Sequence, residues 1–410
     1  MAMYPRNSLV MVLTFYLLCS LLTVPTHAQS AKVQSVINNA GNIVYNAHSI
    51  LYVDGTKLRG PSGKEVFLKG IQVDWNERMK KQGTSQEASN PYESWFTEAD
   101  IQTMKANGAN YVEIHMIPLK SVMPIKNVFN TEYFEDWVDV WVQWATNNQM
   151  YVSLDMMWLS YTSYWHIPDW LWEDAGYDEP TNKAEWDAII RDFFDTDVTA
   201  MDTSRDAFIN AWKGIANRYK SNDYVLFSII NEPFMLVDMV NQFTNNHLAE
   251  TYSGFMEDVV DGIHSTGATN IIIINRPYVN AYSPYCDNVK PVNRSGIVWE
   301  DHLYISSQYD YDDWCSKIDQ YVARLVGVFG KPLIIGEYGF LPANYGKTEY
   351  RDTWLSILED EVSYLDGKTL CGRQYHQWGW LEGQCGDYAY DYYTEDESEW
   401  IIQTVLGSSY

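Results

Sequence analysis

Residues 224–234 read Tyr-Val-Leu-Phe-Ser-Ile-Ile-Asn-Glu-Pro-Phe, and the fold can be deduced outward from this stretch. Six of its first seven residues are apolar or aromatic, several of them β-branched. This pattern predicts a strand that is buried on both faces, as in a parallel sheet. The strand must end at Pro233, because proline has no N–H to donate to a sheet ladder. Glu232 therefore lies at the carboxyl end of a buried strand, where active sites form in parallel α/β folds.

A second stretch has the same design. Residues 331–340 read Lys-Pro-Leu-Ile-Ile-Gly-Glu-Tyr-Gly-Phe, so Glu337 follows a short apolar strand and is flanked by glycines. Two carboxylates at equivalent strand ends would face each other across a cleft. Such a pair can cleave a glycosidic bond, because one carboxylic acid protonates the leaving oxygen while the other attacks the sugar carbon. The alternative is that each Glu is only a solvated residue at a strand end.

Strands and helices alternate along most of the chain. The predicted strands are 66–73, 110–117, 150–157, 224–231, 270–275, 296–305, 331–337 and 373–380. The predicted helices are 99–106, 137–146, 206–219, 248–264, 313–328, 348–364 and 398–406, whereas 158–185, rich in Trp and Tyr, is predicted to be irregular. Eight strands in this pattern, with no glycine-rich phosphate loop, favour an α/β fold of the (β/α)8 TIM-barrel type over an open sheet.

The segments before the first barrel strand differ in character. Residues 1–28 have a single charged residue, Arg6, and an apolar run from Leu9 to Val24, which predicts a secretory signal peptide cut after Ala28. The apolar run falls short of the ~20 residues that span a membrane, although an N-terminal anchor is the alternative. We expect residues 29–48 to be a flexible lead-in. Residues 49–410 are expected to form the barrel, with an N-terminal β-hairpin within residues 50–68 that closes its bottom.

The composition limits the partners. The chain has 28 Lys and Arg against 54 Asp and Glu, a net charge of −26. Such a surface repels nucleic acid and anionic membranes, so we expect neither as a partner of the mature, secreted protein. Tyr and Trp, at 31 and 17 residues, each outnumber the 14 Phe, and their amphipathic rings suit stacking against sugars as well as core packing. A neutral β-linked polysaccharide or oligosaccharide is the expected partner of a monomer.

Four cysteines remain once a signal peptide containing Cys19 is removed. An even number in a secreted chain predicts two disulfides, and three pairings are possible. We favour Cys286–Cys315 and Cys371–Cys385, because the members of each pair are close in sequence. No CxxC or HExxH motif is present, so the sequence implies no metal and no other cofactor.

Several short motifs occur in a fixed order. They are Asp54-Gly55, Leu68-Lys69-Gly70-Ile71, Ala216-Asn217-Arg218-Tyr219-Lys220, Asn231-Glu232-Pro233, His302-Leu303-Tyr304 and Ile335-Gly336-Glu337-Tyr338-Gly339. In this order and spacing they make the chain, from about residue 51 onward, resemble glycoside hydrolase family 5. That large barrel family includes many endoglucanases and β-mannanases.

The resemblance implies a retaining mechanism. Glu232 would be the general acid/base and Glu337 the nucleophile, with their carboxyl groups ~5–5.5 Å apart. Repulsion at that distance should raise the pKa of one of them and keep a proton on Glu232 for the first step. Asn231 would hydrogen-bond the sugar 2-hydroxyl, a contact that strengthens in the transition state.

The resemblance also implies roles for neighbouring side chains. His302 and Tyr304 would orient the two carboxylates, although each could instead be a satisfied core residue. In this family an aromatic residue of the eighth strand forms the floor of the subsite for the cleaved sugar. Trp378 is the candidate, with Trp380 as the alternative.

Two positions depart from the family pattern. Glu113 occupies the place of an Arg that contacts the nucleophile, and a third carboxylate there would oppose ionisation of Glu337. Unless Glu113 is out of register, a cation must come from elsewhere, and Arg276 is the candidate. Met157 occupies a place where the family often has His. His115 is the residue that could compensate, and we include it among the substrate-binding residues.

These observations predict a secreted retaining glycoside hydrolase, above all an endo-β-1,4-glucanase of the cellulase type. An endo-β-mannanase with the same chemistry is the first alternative, and a transglycosylase would use the same residues. A non-catalytic carbohydrate-binding protein on the same barrel is the alternative from another class. Glu113 and Met157 are its only support.

Overall fold

The computed structural model of the protein describes residues 34–37, 43–46, 51–73, 96–116, 133–156, 172–173, 175–233, 247–277, 289–305, 311–340, 348–376 and 395–407. The chain divides into two units, residues 1–48 and residues 49–410. In the first unit, strand β1 (Gln34–Ile37) pairs antiparallel with β2 (Ile43–Asn46), so the expected lead-in contains a short hairpin. The predicted signal peptide lies outside the described residues.

The second unit begins with the predicted hairpin, in which β3 (Tyr52–Asp54) pairs antiparallel with β4 (Lys57–Arg59). Leu51, directly before the hairpin, and Leu58, within it, are both buried. They share a hydrophobic cluster with side chains from the starts of the barrel strands, namely Leu68, Tyr111, Tyr151, Leu226, Val298 and Ile334. The hairpin therefore closes the N-terminal end of the barrel, as the sequence predicts.

Eight parallel strands form a closed barrel, which confirms the predicted TIM-barrel fold. They are β5 (Leu68–Val73), β6 (Tyr111–Met116), β7 (Tyr151–Met156), β8 (Val225–Ser228), β9 (Ile272–Asn275), β10 (Ile297–Ile305), β11 (Leu333–Phe340) and β12 (Gly372–Tyr375). Each strand pairs with the next along the chain, and β12 pairs with β5 to close the ring.

The helices alternate with these strands. They are α1 (Glu98–Ala106), α2 (Asp139–Asn147), α3 (Lys183–Phe194), α4 (Asp202–Tyr219), α5 (His247–His264), α6 (Tyr311–Tyr321), α7 (Thr348–Asp366) and α8 (Glu395–Gly407). A π-helical turn, Phe134–Val138, leads into α2, and another, Val322–Val328, follows α6. None of the helices in the described part of the chain is long and apolar enough to cross a membrane.

Helix α3 corrects the sequence interpretation, which took residues 158–185 as irregular and placed the next helix only at 206–219. The Asn182 side chain caps this helix by accepting a hydrogen bond from the Glu185 N–H, at 3.2 Å. Ile189, Ile190 and Phe193 then recur at helical spacing and are buried. Residues 158–171 and 174 of the predicted irregular stretch lie outside the described residues.

Two cysteines, Cys315 and Cys371, lie in the described residues, and both are free. Their predicted partners, Cys286 and Cys385, lie outside those residues. The structure therefore shows neither of the two favoured disulfides, and the pairing stays a prediction.

The barrel interior changes from apolar to polar along its axis. On β6, the side chains of Tyr111, Glu113 and His115 share one face, because side chains alternate along a strand. Tyr111, at the start, belongs to the apolar cluster under the hairpin, whereas Glu113 and His115 are buried polar residues nearer the strand's end. Ser153 and Asp155 repeat this pattern on β7. The C-terminal half of the interior is therefore lined with groups that can exchange protons and hydrogen bonds.

Strand β11 contains a β-bulge at Gly336. Asp301 pairs with Ile335 and His302 pairs with Glu337, so Gly336 has no opposite residue on β10. A Cβ at Gly336 would lie 1.5 Å from Oε1 of Glu300, so only glycine fits there. Because side chains alternate along a regular strand, this extra residue turns Glu337 toward the interior.

Glycine is also required at position 70, where a Cβ would lie 2.3 Å from the Tyr111 carbonyl oxygen. We expect Gly70→Ala to lower the free energy of unfolding by roughly 1–3 kcal/mol, as overpacking does in well-packed cores. Gly254→Ala on α5 is the matched control, because a Cβ there meets nothing within 4 Å. It should raise that free energy by roughly 0.5–1 kcal/mol, as Gly-to-Ala does in helices. Urea unfolding followed by circular dichroism measures both, and equal midpoints for the two variants would contradict the close approach at Gly70.

Candidate active site

Glu232 lies just beyond β8, where the chain leaves the barrel. Its backbone φ is 40°, in the left-handed region that is costly for a residue with a Cβ. The turn is held on both sides: the Asn231 N–H donates to the Met156 carbonyl at 2.8 Å, and the Glu232 N–H to Oδ1 of Asn275 at 3.4 Å. Contacts with the neighbouring strands therefore fix the strained conformation that directs Glu232.

Aromatic side chains on the surrounding helices anchor the strand ends. Trp212 of α4 donates from Nε1 to the Ile229 carbonyl at 3.1 Å, two residues before Asn231. In the same way, the Tyr252 hydroxyl donates to the Asn275 carbonyl at 2.8 Å. Trp314 of α6 donates to the Leu303 carbonyl at 3.0 Å, next to His302 and Tyr304. These rings are therefore core residues with a polar end that positions the site.

Glu337 is held through both of its carboxylate oxygens. The Tyr304 hydroxyl donates to Oε2, and Nε2 of Gln72 donates to Oε1 at 2.7 Å. Two imidazoles face Oε2, since Nδ1 of His302 lies 3.4 Å away and Nδ1 of His376 lies 3.7 Å away. Glu337 is thus a buried carboxylate surrounded by hydrogen-bond donors.

His302 connects Glu337 with Glu232. Its Nδ1 lies 2.8 Å from Oε1 of Glu232 as well as 3.4 Å from Glu337. A carboxylate oxygen of Glu232 and one of Glu337 lie within 4.8 Å of each other. Retaining glycosidases separate their carboxyl groups by ~5–5.5 Å and inverting ones by ~6.5–9.5 Å. Oxygens this close favour the retaining geometry over the inverting one.

The surroundings drive the pKa values of the two carboxyl groups apart. For Glu232, burial is the largest effect and raises the pKa, the charge of Glu337 adds to it, and the hydrogen bond with His302 opposes it. For Glu337, burial alone would raise the pKa, but the charges of His302 and His376 and the hydrogen bond from Tyr304 outweigh it and lower the pKa. One carboxyl group therefore favours the protonated form and the other the ionised form, as an acid and a nucleophile require.

His302 has a pKa well above its usual value. Burial lowers this pKa, but the charge of Glu337, the hydrogen bond with Glu232 and the nearby carboxyl group of Glu300 outweigh it. Nε2 of His302 lies 3.6 Å from Oε1 of Glu300, whose other oxygen accepts from Nδ2 of Asn275 at 2.8 Å. The imidazole is thus a buried cation among three carboxyl groups.

Beneath this layer lie further buried carboxyl groups. Burial and the charge of Glu113 raise the pKa of Glu300 to about 7, and the same two causes raise that of Asp155 well above its usual value. For Glu113, burial would raise the pKa, but the nearby imidazole of His115 and the hydrogen bond from Gln72 outweigh it and lower the pKa. Protons on Asp155 and Glu300 thus limit the number of charges that the interior must bury.

The structure brings most of the predicted site residues together. Asn231, buried, precedes Glu232, while His302 and Tyr304 contact the two carboxylates that they were expected to orient. His115 is 1 % exposed and faces Gln72, Glu113 and Asp155, and its substrate-binding role stays a prediction. Trp378 and its alternative, Trp380, lie outside the described residues.

Arg276 does not supply the cation that the sequence analysis sought for Glu337. Its guanidinium forms an ion pair with Asp301 and lies 4.3 Å from the ring centroid of Tyr321. Histidines supply the positive charge beside Glu337 instead. Glu113 is in the expected register, inside the barrel, and a shared neighbour, Gln72, connects it to Glu337.

Sequence reasoning missed three residues of the site, namely Gln72, Glu300 and His376. Each faces the barrel interior from a strand or its end, and Glu300 and His376 each lie two positions from another inward polar residue. A signal was therefore present in pairs such as Glu300 and His302, since polar residues at every second position of an apolar strand line one face.

Three groups of side chains in the described residues have ligand atoms within 4.8 Å of one another, close enough to hold a metal ion. They are Glu113–His115–Asp155, Asp195–Asp197–His247 and Glu232–His302–Glu337. In the first group the Gln72 amide already contacts Glu113 and His115, and in the last His302 already contacts both carboxylates. Contacts with other protein side chains thus already involve Glu113 and His115 in the first group and all three residues in the last.

Known proteins that are similar to this chain in sequence or in structure include glycosidases. Residues 63–368 match the family model "Cellulase (glycosyl hydrolase family 5)". Endoglucanase A of Butyrivibrio fibrisolvens is 22% identical over 388 residues, covering 92% of this chain and 73% of the relative. The crystal structure of an endogalactoceramidase superposes with a TM-score of 0.61 at 16% identity, covering 83% of this chain and 79% of that one. Endo-glycoceramidase II from Rhodococcus sp., in a cellobiose-like imidazole complex, gives 0.59 at 19% identity, covering 77% and 74%.

The charge on His302 can be tested without turnover. Because Glu337 is the largest cause that raises the pKa of His302, we expect Glu337→Gln to lower that pKa toward its ordinary value. Imidazole resonances followed by NMR across a pH titration measure this shift. His264 is the matched control, since burial lowers its pKa and Asp261, not Glu337, is the carboxylate that acts on it. A His302 titration that is identical in both proteins would contradict the proposed ion pairs.

Proposed function

Since the chain belongs to the cellulase family, glycosyl hydrolase family 5, we propose that it cleaves a β-linked glycan by double displacement with retention of configuration. The observation that carries this mechanism is the arrangement of Glu232 and Glu337 around His302, with carboxylate oxygens within 4.8 Å. The chain is a glycosidase, and the roles of its residues are the proposal.

In the first step, Glu337 attacks the anomeric carbon while Glu232 gives its proton to the leaving glycosidic oxygen. The carbon–oxygen bond to the leaving group breaks, and a covalent glycosyl-enzyme forms on Glu337. The raised pKa of Glu232 and the lowered pKa of Glu337 supply the two protonation states that this step needs. Tyr304 and Gln72 hold the attacking carboxylate in position.

In the second step, Glu232 acts as a base. It removes a proton from water, the water oxygen attacks the anomeric carbon, and the bond to Glu337 breaks, so that both carboxyl groups return to their starting states. His302 remains hydrogen-bonded to Glu232 at 2.8 Å, and a protonated imidazole there stabilises the carboxylate that the first step creates. Asn231, next to Glu232, is our candidate for binding the sugar 2-hydroxyl.

We propose a β-1,4-glucan as the substrate. The similarity to an endoglucanase over 92% of the chain supports this choice. A second candidate is a glycan linked to ceramide, which the endoglycoceramidases among the structural neighbours favour. One of these neighbours is a complex with a cellobiose-like imidazole, so a barrel of this shape accommodates a glucan-like ligand in an endoglycoceramidase as well.

Purified residues 29–410 should release reducing ends from carboxymethylcellulose and mixed-linkage β-glucan. Mannan, xylan and lactosylceramide complete the panel, and preferential cleavage of mannan or of the lipid would replace the β-1,4-glucan assignment. Glu337→Ala should lower kcat on the order of 10³-fold or more, because it removes the nucleophile. Glu399→Ala, which removes an exposed carboxylate on α8, is the control and should retain activity.

Retention of configuration is checked on the same reaction by NMR of the first product formed. The β-anomer must accumulate before mutarotation. An initial α-anomer would exclude double displacement, transfer of sugar to another sugar would indicate a transglycosylase, and binding without turnover by the folded wild type would indicate a carbohydrate-binding protein.

We further propose that the protein is secreted after removal of residues 1–28, on the strength of the apolar run and the small residues that follow it. Expression of the full chain in a secreting host should give an extracellular protein whose N-terminal residue is Gln29. N-terminal sequencing and intact mass measure this outcome. Retention of the uncut chain in the membrane fraction would indicate an anchor instead.

A further inference from the structure

Gln72, on the first strand of the barrel, lies at the centre of the buried network and is 0% exposed. Its amide nitrogen lies 2.7 Å from Oε1 of Glu337, 3.0 Å from Oε1 of Glu113 and 2.9 Å from Nε2 of His115. An amide nitrogen has two N–H bonds to donate. An ionised carboxylate is a stronger acceptor than an imidazole nitrogen, so the two N–H groups go to Glu337 and Glu113.

The other end of the amide is also fixed. Oε1 of Gln72 faces Nδ1 of His376, which donates to it. The His376 ring packs edge-on against Tyr304, with centroids 5.7 Å apart. Tyr304 in turn donates to Glu337. The amide therefore has one orientation, with its oxygen toward His376 and its nitrogen toward the carboxylates.

Glu113 is anchored on the side away from Gln72. Its Oε2 accepts from the Ser153 hydroxyl at 2.8 Å and from the Tyr111 hydroxyl at 3.2 Å. All three residues are buried, and β6 and β7 bring them together in register. Two hydrogen bonds therefore hold the Glu113 carboxylate in place, and its other oxygen, Oε1, accepts from the Gln72 amide.

This arrangement offsets the electrostatic repulsion between two buried carboxylates. Glu113 and Glu337 would repel each other across the barrel if nothing separated them. The Gln72 amide lies between them and donates one charge-assisted hydrogen bond to each. The ionised carboxylate of Glu113 thereby acts as a hydrogen-bond acceptor that restrains Gln72.

We propose that Gln72 is a positioning residue that holds Oε1 of Glu337 while Tyr304 holds Oε2, and that Glu113 acts through Gln72 by keeping its amide in place. With both oxygens restrained, the plane of the carboxylate is set before a sugar arrives, which is the kind of preorganisation that accelerates attack. The inference rests on the proposed function only for the role of Glu337 as the nucleophile.

The central variant is Gln72→Met, which keeps the size of the side chain and removes both N–H groups. We expect kcat, and the rate at which a 2-deoxy-2-fluoroglycosyl fluoride labels Glu337, to fall roughly 10- to 100-fold, the range for one lost hydrogen bond to a charged group. KM should change much less, because Gln72 is buried and contacts the nucleophile instead of the substrate. Glu113→Gln should cause a smaller loss, and the double variant should be no slower than Gln72→Met alone.

Gln374→Met is the matched control. Gln374 is also a buried amide facing the interior, and when its amide is oriented to satisfy its neighbours, its oxygen accepts from the backbone N–H groups of Glu113 and Gln72. Thermal unfolding of all variants separates lost stability from lost positioning. Equal kcat values for Gln72→Met and Gln374→Met, or additive losses in the double variant, would overturn the proposal.

A second readout is independent of turnover. Removing a donor to an ionised carboxylate raises its pKa, so Gln72→Met should raise the pKa of Glu337 in a carboxyl NMR titration. The other groups that face Glu337 are Tyr304, His302, His376, His115 and the carboxyl groups of Glu232 and Glu300, and all remain in the variant. An unchanged pKa would exclude the hydrogen bond. A wild type that cleaves nothing would remove the proposed function, and this titration would still decide whether Gln72 holds Glu337.

Discussion

The contact of one imidazole with two buried carboxylates is the constraint on which the rest of the site depends. Burying an unpaired carboxylate costs several kcal/mol, and two of them within 4.8 Å would also repel each other. His302, charged and placed 2.8 Å from Glu232 and 3.4 Å from Glu337, offsets both costs. The barrel must therefore bring these three residues together from β10, from β11 and from the turn after β8. Two local irregularities of the chain lie at these points, and the strained φ at Glu232 and the bulge at Gly336 direct the carboxylates inward.

The regular part of the fold provides the support for these irregularities. Helical aromatic residues such as Trp212 and Trp314 donate to carbonyls at the strand ends, so the outer layer of helices fixes positions in the inner layer. The abundance of Trp and Tyr, which the sequence linked to sugars or to the core, has in these residues a third use as buried donors. Packing of this kind makes a 40° φ tolerable, because a strained turn persists only where its neighbours determine its position.

The sequence was sufficient for the fold and for the two carboxylates because both signals are local. Strands such as β8 and β9 are short apolar runs, and Glu232 and Glu337 follow such runs at their ends. The remaining contacts could not be predicted, since Gln72 and Glu337 are 265 residues apart and meet only through closure of the barrel. Arg276 was wrong as the partner of Glu337 for the same reason, because its ion pair with Asp301 is set by packing between β9 and β10. Helix α3 was missed although its capping residue and apolar spacing were present, because the aromatic stretch before it was taken as one irregular segment.

Glu113 looked like evidence against catalysis when it was considered alone. In the folded chain the Gln72 amide lies between it and Glu337, while the imidazoles of His302 and His376 lie beside Glu337. A guanidinium would keep its charge at any pH that the fold survives, whereas an imidazole does not. The ionisation of Glu337 is therefore coupled to the protonation of its neighbours, which in turn depends on the protons held by Glu300 and Asp155. We therefore expect neighbouring groups in the barrel interior to titrate together rather than independently.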